Sequence, residues 1–316
     1  MDKKIQEKIY ENISTFDILL GMYLLLRNKI KWFFNFQNAF QNYFSVIRNF
    51  QNNSYPIFAI LKNGSKINLS SKNEVSLYSL LFKNKNCNYS PETDSAIIKL
   101  SDTKKSIKLF GIKRNFDTIL AFEDETYTKI PIQDFDVVDI GTSIGDTPIL
   151  FAINGASRVI GLEPFPQNFD LAKKNIQENN FEDKVHLIRA GCGASDGLQY
   201  VDTTKESDMR SQINSSQNGI EIPIMSIESI VEKFNIQDGI LKVDCEGCEY
   251  DAILSSKVEI LRKFQFIQVE YHYGYKNLKN KLENSGFTVE LTKLESYFQN
   301  GKMEFFRGHL NATRQC

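Results

Sequence analysis

The segment VVDIGTSIGDTPILFA, residues 137–152, constrains this chain more than any other. It reads as a buried strand that ends in a glycine turn and runs directly into a helix. Glycine tolerates positive backbone angles and lets another group approach the backbone closely. After this unit the apolar pattern alternates between strand and helix. RVIGLEP, VHLIRAG, GILKVDCEG, FQFIQVEYH and FTVELT read as strands, and KMEFFRG as a last one. NFDLAKKNIQENN, IESIVEKF, EYDAILS and YKNLKNKLENSG read as helices. Alternation of this kind predicts an α/β fold, a mostly parallel sheet with helices on both faces, and a ligand beyond the carboxyl ends of the strands.

The skeleton of the first loop is Asp139, Gly141, Gly145 and Asp146. A loop built for a pyrophosphate offers helix N–H groups to an anion. Two carboxylates beside that place repel phosphate and favour a cationic ligand. S-adenosylmethionine, with an ammonium, a sulfonium and no phosphate, meets that requirement. Glu163 ends the second strand, 24 residues after Asp139. An acid about 20 residues beyond a glycine loop is placed to accept ribose hydroxyls.

The segments VVDIGTSIGDTPILFA, VIGLEPFPQNFDLAKKNI, LKVDCEGCEYDAIL and IQVEYHYG, in this order, resemble the FkbM family of S-adenosylmethionine-dependent methyltransferases. The resemblance covers about residues 120–295 and not the first hundred or so. It implies a Rossmann-like class I methyltransferase sheet of seven strands, the final one antiparallel, and O-methylation of a hydroxyl on a small molecule, sugar or glycan. It implies cofactor contacts at Asp139, Gly141, Ser143, Gly145 and Asp146, ribose contact at Glu163, and cover from Tyr127 at the methionine end. RAGCGASDG, after the third strand, is expected near the adenine. Two other readings stay open: a nucleotide- or NAD-binding α/β enzyme, and a non-catalytic binding module on the same fold.

The reacting side is expected at the ends of the fourth and fifth strands. A hydroxyl acceptor must be aligned and lose its proton. Asp244, Glu246, Glu270 and His272 are the candidates there, with His272 the group best matched to base work near neutrality. Glu249, in the first turn of a helix, is explained by the helix dipole. Asp244, Glu246 and Glu270 are oxygen donors of the kind that hold magnesium or calcium. A divalent metal is nevertheless not favoured, and no residue is assigned as a ligand.

Cys245 and Cys248 form a C-x-x-C pair inside this acidic stretch. The remaining cysteines, Cys87, Cys192 and Cys316, provide no second knuckle for zinc. The flanking glutamates oppose a reactive thiolate. An odd cysteine count in a chain of 316 residues reads as a reduced, cytoplasmic protein with incidental thiols. Net charge is −1, from 38 basic and 39 acidic residues, which speaks against nucleic acid as a partner. Oligomeric state is not legible.

Residues 1–115 read as an accessory region, helical and then β-rich, and residues 116–316 as the catalytic domain. FDILLGMYLLLRNKIKWFF, residues 16–34, is too short between Asp17 and Arg27 to span a bilayer. It is expected as a buried or interfacial helix, with peripheral membrane contact the lesser option. Phe33, Phe36, Phe40, Phe44 and Ile47 form a helical stripe expected in a core. Asn63-Gly64 suggests a type I′ hairpin. KKSIKLFG and DTILAF look like short strands.

Overall fold

A computed structural model describes residues 9–100, 105–122, 126–201, 220–299 and 302–315. The chain forms two compact units, one of residues 1–25 with 124–316, the other of residues 26–123.

The larger unit is built on a seven-stranded sheet. Its elements follow in chain order: β1 (Asp136–Ile140), α1 (Asp146–Ile153), β2 (Arg158–Leu162), α2 (Pro166–Glu178), β3 (Val185–Ile188), α3 (Ile227–Phe234), β4 (Gly239–Val243), α4 (Cys248–Ser255), β5 (Phe264–Tyr271), α5 (Lys276–Asn284), β6 (Phe287–Gln299) and β7 (Lys302–Arg314). The strand order is β6-β7-β5-β4-β1-β2-β3. Strands β1 to β5 pair in parallel, whereas β7 runs antiparallel to both β5 and β6. The order reverses between β1 and β4, so a crevice opens where their carboxyl ends diverge. Every residue of β4, GILKV, is buried, as expected for a strand covered on both faces. That burial includes Lys242, which lies in register with Asp139 on β1.

Local chemistry sets the helix starts. Gly145, at φ +88°, opens α1. Pro166 stands in the first turn of α2, where a missing N–H costs nothing. Ser226 caps α3 by accepting the Ser229 N–H at 3.2 Å, and Asn235 closes that helix in the left-handed region. After β3 the chain leaves the main sheet. Gly191–Gly193 pairs with Ile220–Ser226, which also pairs with Gly197–Val201.

Residues 9–25 belong to this larger unit. Ile9 and Ile13 lie in its core. Asn12 O accepts the N–H groups of Tyr275 and Lys276 at the start of α5, and Lys276 Nζ donates to Ile13 O at 2.6 Å. The Tyr275 hydroxyl donates to Asp17, which also receives the Ser14 N–H.

The smaller unit packs Phe36, Phe40, Val46, Ile57, Ala59, Leu69 and Val75 together. Three sequence expectations change here. Phe36 and Phe40 are buried, but Phe44 is 68% exposed, because the helix Thr15–Ala39 stops and the next begins at Tyr43. The hairpin at Ile57–Leu69 forms, yet only Gly64 takes a positive φ at its tip. Gly64 N–H donates to Leu61 O and Leu61 N–H to Ser65 O, a longer loop closed by one left-handed glycine. DTILAF contains a short helix, Thr118–Ala121, in place of a strand. KKSIKLFG does supply a strand, Ser106–Phe110. Helix Thr15–Ala39 presents Phe16, Leu19, Tyr23, Leu26 and Ile30 to solvent. Among the described residues, no helix is long and apolar enough to cross a membrane.

Candidate active site

Four strand ends bring the sequence-derived residues to one edge of the sheet. Asp139 is in β1, Glu163 follows β2, Asp244 follows β4, and Glu270 and His272 stand at the end of β5.

The glycine loop is held tightly against β4. Gly141 takes φ +84°, and a Cβ there would lie 1.8 Å from the Asp244 carbonyl oxygen. Only glycine fits that approach. Ser143 also adopts a left-handed conformation. Its N–H donates to Glu163 Oε2 at 2.9 Å, while Glu163 Oε1 accepts the Phe165 N–H at 3.0 Å. Burial pushes the Glu163 carboxyl up to about 7 despite these donors. Asp146 is buried in the first turn of α1.

Asp139 is fully enclosed. Its Oδ2 accepts the Thr147 hydroxyl at 2.6 Å, and its Oδ1 lies 2.9 Å from Lys242 Nζ. Lys242 Nζ also donates to Gly141 O at 2.9 Å and lies 3.9 Å from Asp244 Oδ2. Burial alone lowers the affinity of an ammonium for its proton. Here the charges of Asp139 and Asp244 outweigh it and hold Lys242 above its usual range. The ion pair joins β1 to β4 directly below the crevice. The sequence places Lys242 in the K-x-D-x-E-G-x-E frame with Asp244, Glu246, Gly247 and Glu249 but assigns it no role; its pairing with Asp139 is visible only in the fold.

Beyond the ends of β4 and β5 lies a cluster of acids, two histidines and an arginine. Asp244 accepts the Tyr127 hydroxyl at 3.3 Å. Burial raises the Asp244 carboxyl, but Lys242 and the cationic groups of His272, His309 and Arg307 bring it below its usual value. Glu270 lies 3.6 Å from both Arg307 and His309 on β7. Burial and the Asp244 charge push Glu270 up to about 8. His309 also meets the Tyr127 ring edge-on, with centroids 5.8 Å apart. From the sequence Arg307 is not a candidate and His309 reads as structural, because an antiparallel strand from the far end of the chain delivers both to this cluster.

His272 is 5% exposed. Its Nδ1 lies 2.9 Å from Glu249 Oε1, and Glu249 Oε1 also accepts the His272 N–H. Burial disfavours the imidazolium, but Glu249 and Glu246 overcome this and hold His272 well above its usual value. Glu249, fully buried, orients this imidazole as well as standing in the first turn of α4.

Cys245 and Cys248 are joined by a disulfide, against the expectation of unpaired thiols. Glu246 and Gly247 both take positive φ, and the turn brings the two Cα atoms to 5.5 Å, within bridging distance. Residue spacing alone does not reveal that reversal. Cys316 lies outside the described residues.

The strand order with its antiparallel β7, the glycine turn after β1 and the acid after β2 together define a class I, Rossmann-like methyltransferase fold. The family model of the methyltransferase FkbM domain matches residues 139–307, more than half of the chain. The chain belongs to the FkbM methyltransferase family. No curated protein matches it in sequence. Among solved structures, the METTL16 MTase domain is similar at 16% identity, with 85% of this chain and 89% of that one covered and a TM-score of 0.42. TrmK of M. capricolum, in complex with S-adenosyl-homocysteine, is similar at 12% identity over 60% and 66% of the two chains, TM-score 0.39. Magnesium protoporphyrin IX methyltransferase from Synechocystis PCC 6803, with bound SAM, is similar at 13% identity over 63% and 77%, TM-score 0.32.

Proposed function

We propose that this methyltransferase moves the methyl group of S-adenosylmethionine to a hydroxyl oxygen of a small molecule, sugar or glycan. The observation that carries the reading is the grouping of Asp244, Glu246, Glu270 and His272 at the carboxyl ends of β4 and β5, beside the glycine loop. Carboxylates accept hydroxyl protons and hydrogen bonds from hydroxyl groups, which suits an alcohol acceptor.

The donor fits the other half of the crevice. Positive φ at Gly141, Ser143 and Gly145 leaves a backbone-lined turn with little side-chain bulk. Glu163, buried at its rim, offers a carboxylate to ribose hydroxyls. Asp139 and Asp146 keep the local field acidic and disfavour a diphosphate. S-adenosylmethionine supplies a methyl group already activated by a cationic sulfur, so the chain has to align the acceptor and remove one proton. In this proposal Asp139 and Lys242 brace the loop, Tyr127 covers the methionine end, and RAGCGASDG approaches the adenine.

Glu270 takes the hydroxyl proton. A carboxyl held near 8 is far better matched to that transfer than an ordinary glutamate. The base role expected for His272 passes to Glu270 in this proposal, because both ring nitrogens of His272 already face carboxylates, Nδ1 Glu249 at 2.9 Å and Nε2 Glu246 at 3.3 Å. Asp244, kept ionised, orients the acceptor hydroxyl.

Incubation with methyl-labelled S-adenosylmethionine and a metabolite or glycan extract, followed by mass identification, tests the reading. Label in an ether or ester methyl group is expected. Label only on nitrogen or carbon overturns the oxygen assignment. Calorimetric binding of NADH without binding of S-adenosylhomocysteine overturns the methyl-transfer reading.

A further inference from the structure

The geometry points to a divalent metal site formed by Asp244, Glu246 and His272, taking an ion that accepts oxygen and nitrogen together, of the manganese(II) or zinc(II) type. One donor atom from each residue lies within 4.8 Å of the other two. An octahedral ion with donors at about 2.1 Å sets adjacent donors about 3 Å apart and opposite ones about 4.2 Å apart. His272 Nε2 and Glu246 Oε2, at 3.3 Å, already stand at the adjacent spacing. Asp244 offers the third donor within the same 4.8 Å.

The second observation lies in the histidine itself. Nε2 of His272 is buried and lacks a well-aligned hydrogen bond; it approaches Glu246, itself a member of the set, at 3.3 Å. Nδ1 is fixed by Glu249. Both oxygens of that carboxylate are engaged: Oε1 by His272 Nδ1 and the His272 N–H, Oε2 by the Gly247 N–H at 2.8 Å. Binding of the ion releases the Nε2 proton to solvent, and the carboxylate that keeps Nδ1–H then sets the tautomer whose Nε2 lone pair points at the ion. This is the outer support that metal-bound histidines ordinarily have. A purely electrostatic role for His272 leaves Nε2 without a well-aligned partner. An ion bridging Nε2 and the two carboxylates satisfies all three groups.

Ligand type narrows the ion. Two carboxylates with one imidazole suit manganese or zinc better than the all-oxygen preference of magnesium or calcium. Three protein donors leave coordination positions open, as reactive metal sites do. The acceptor class that fits is one with a second oxygen beside its hydroxyl, such as a vicinal diol or a hydroxy-carbonyl, since both oxygens can enter those positions.

The ion's part in catalysis rests on the oxygen-methylation reading; its binding does not. On that reading the polarised hydroxyl oxygen attacks the methyl carbon. The carbon–sulfur bond breaks with its electron pair going to sulfur, and the hydroxyl proton goes to Glu270.

Manganese(II) alone, titrated into the full chain and followed by electron paramagnetic resonance, provides the test. One tightly bound ion per chain is expected, with pulsed spectra showing coupling to one imidazole nitrogen. Glu246→Gln, at a half-buried position, is expected to weaken binding at least about tenfold. His272→Gln is expected to remove the nitrogen coupling, and circular dichroism on each variant confirms folding. No stoichiometric binding to the wild-type chain, or binding unchanged in Glu246→Gln, overturns the site. S-adenosylhomocysteine binding measured on the same metal-free samples separates the two readings. Its loss would strike the methyl-transfer proposal and leave the metal result standing.

Discussion

Lys242→Met is the substitution whose outcome the structure determines most directly. Lys242 is 1% exposed, and its Nζ lies 2.9 Å from Asp139 Oδ1 and 2.9 Å from Gly141 O. Methionine keeps most of the apolar stem and removes the charge. Asp139 then retains only the Thr147 hydroxyl as a side-chain partner among the described residues, at a position with no solvent-exposed surface. Removing one member of a buried ion pair costs about 3–5 kcal/mol, because the other charge is left without compensation. Asp139→Asn is milder, since the ammonium keeps Gly141 O and the nearby Asp244. In the double variant no bare charge is left, so it is expected to regain roughly 1–3 kcal/mol of the Lys242→Met loss. Urea denaturation followed by far-UV circular dichroism measures this. Fluorescence of Trp32, the single tryptophan, reports the smaller unit instead. A Lys242→Met chain within about 1 kcal/mol of wild type, or a double variant no more stable than the single, would refute the argument that this pair ties β1 to β4.

Three further outcomes follow from the same structure. Glu163 titrates near 7 in the folded chain against 4.5 ordinarily; its native pKa is raised, so the unfolded chain loses its proton first and stability falls as pH rises from about 4.5 to 7. The loss is about 3 kcal/mol by linkage, and urea midpoints at pH 5 and pH 8 should differ less in Glu163→Gln than in wild type. Gly141→Ala sets a Cβ 1.8 Å from the Asp244 carbonyl and should abolish S-adenosylhomocysteine binding by calorimetry, whereas Gly64→Ala, also at positive φ but in open space, should lower stability only by about 1 kcal/mol. Glu270→Gln should reduce kcat by about 10²–10⁴-fold with cofactor affinity unchanged; equal turnover in the variant would remove Glu270 from proton transfer.

The fold was largely legible in the sequence, since the period of the apolar residues reports which face of each element is covered. Strands such as VVDI and GILKV read as buried runs, and the sheet confirms them. The short helix at Thr118–Ala121 did not read correctly, because four residues are too few for a helical period to show. The site was legible where one local unit carries its meaning. Gly141, Gly145 and Glu163 each belong to a strand and the turn that follows it, and their spacing is set by backbone geometry.

By itself the sequence determined the alternating α/β order, the glycine turn after β1, the acid after β2 and the FkbM resemblance. These depend on neighbours within about one supersecondary unit. Tertiary structure decided the pairings across the sheet. Lys242 meets Asp139 because β4 lies beside β1 in one register, and His309 and Arg307 reach Glu270 because β7 returns antiparallel. It also decided that residues 9–25 join the larger unit, that Cys245 bonds Cys248, and that Glu249 orients His272. Each is a contact between segments brought together by folding, where distance in space bears no relation to separation along the chain.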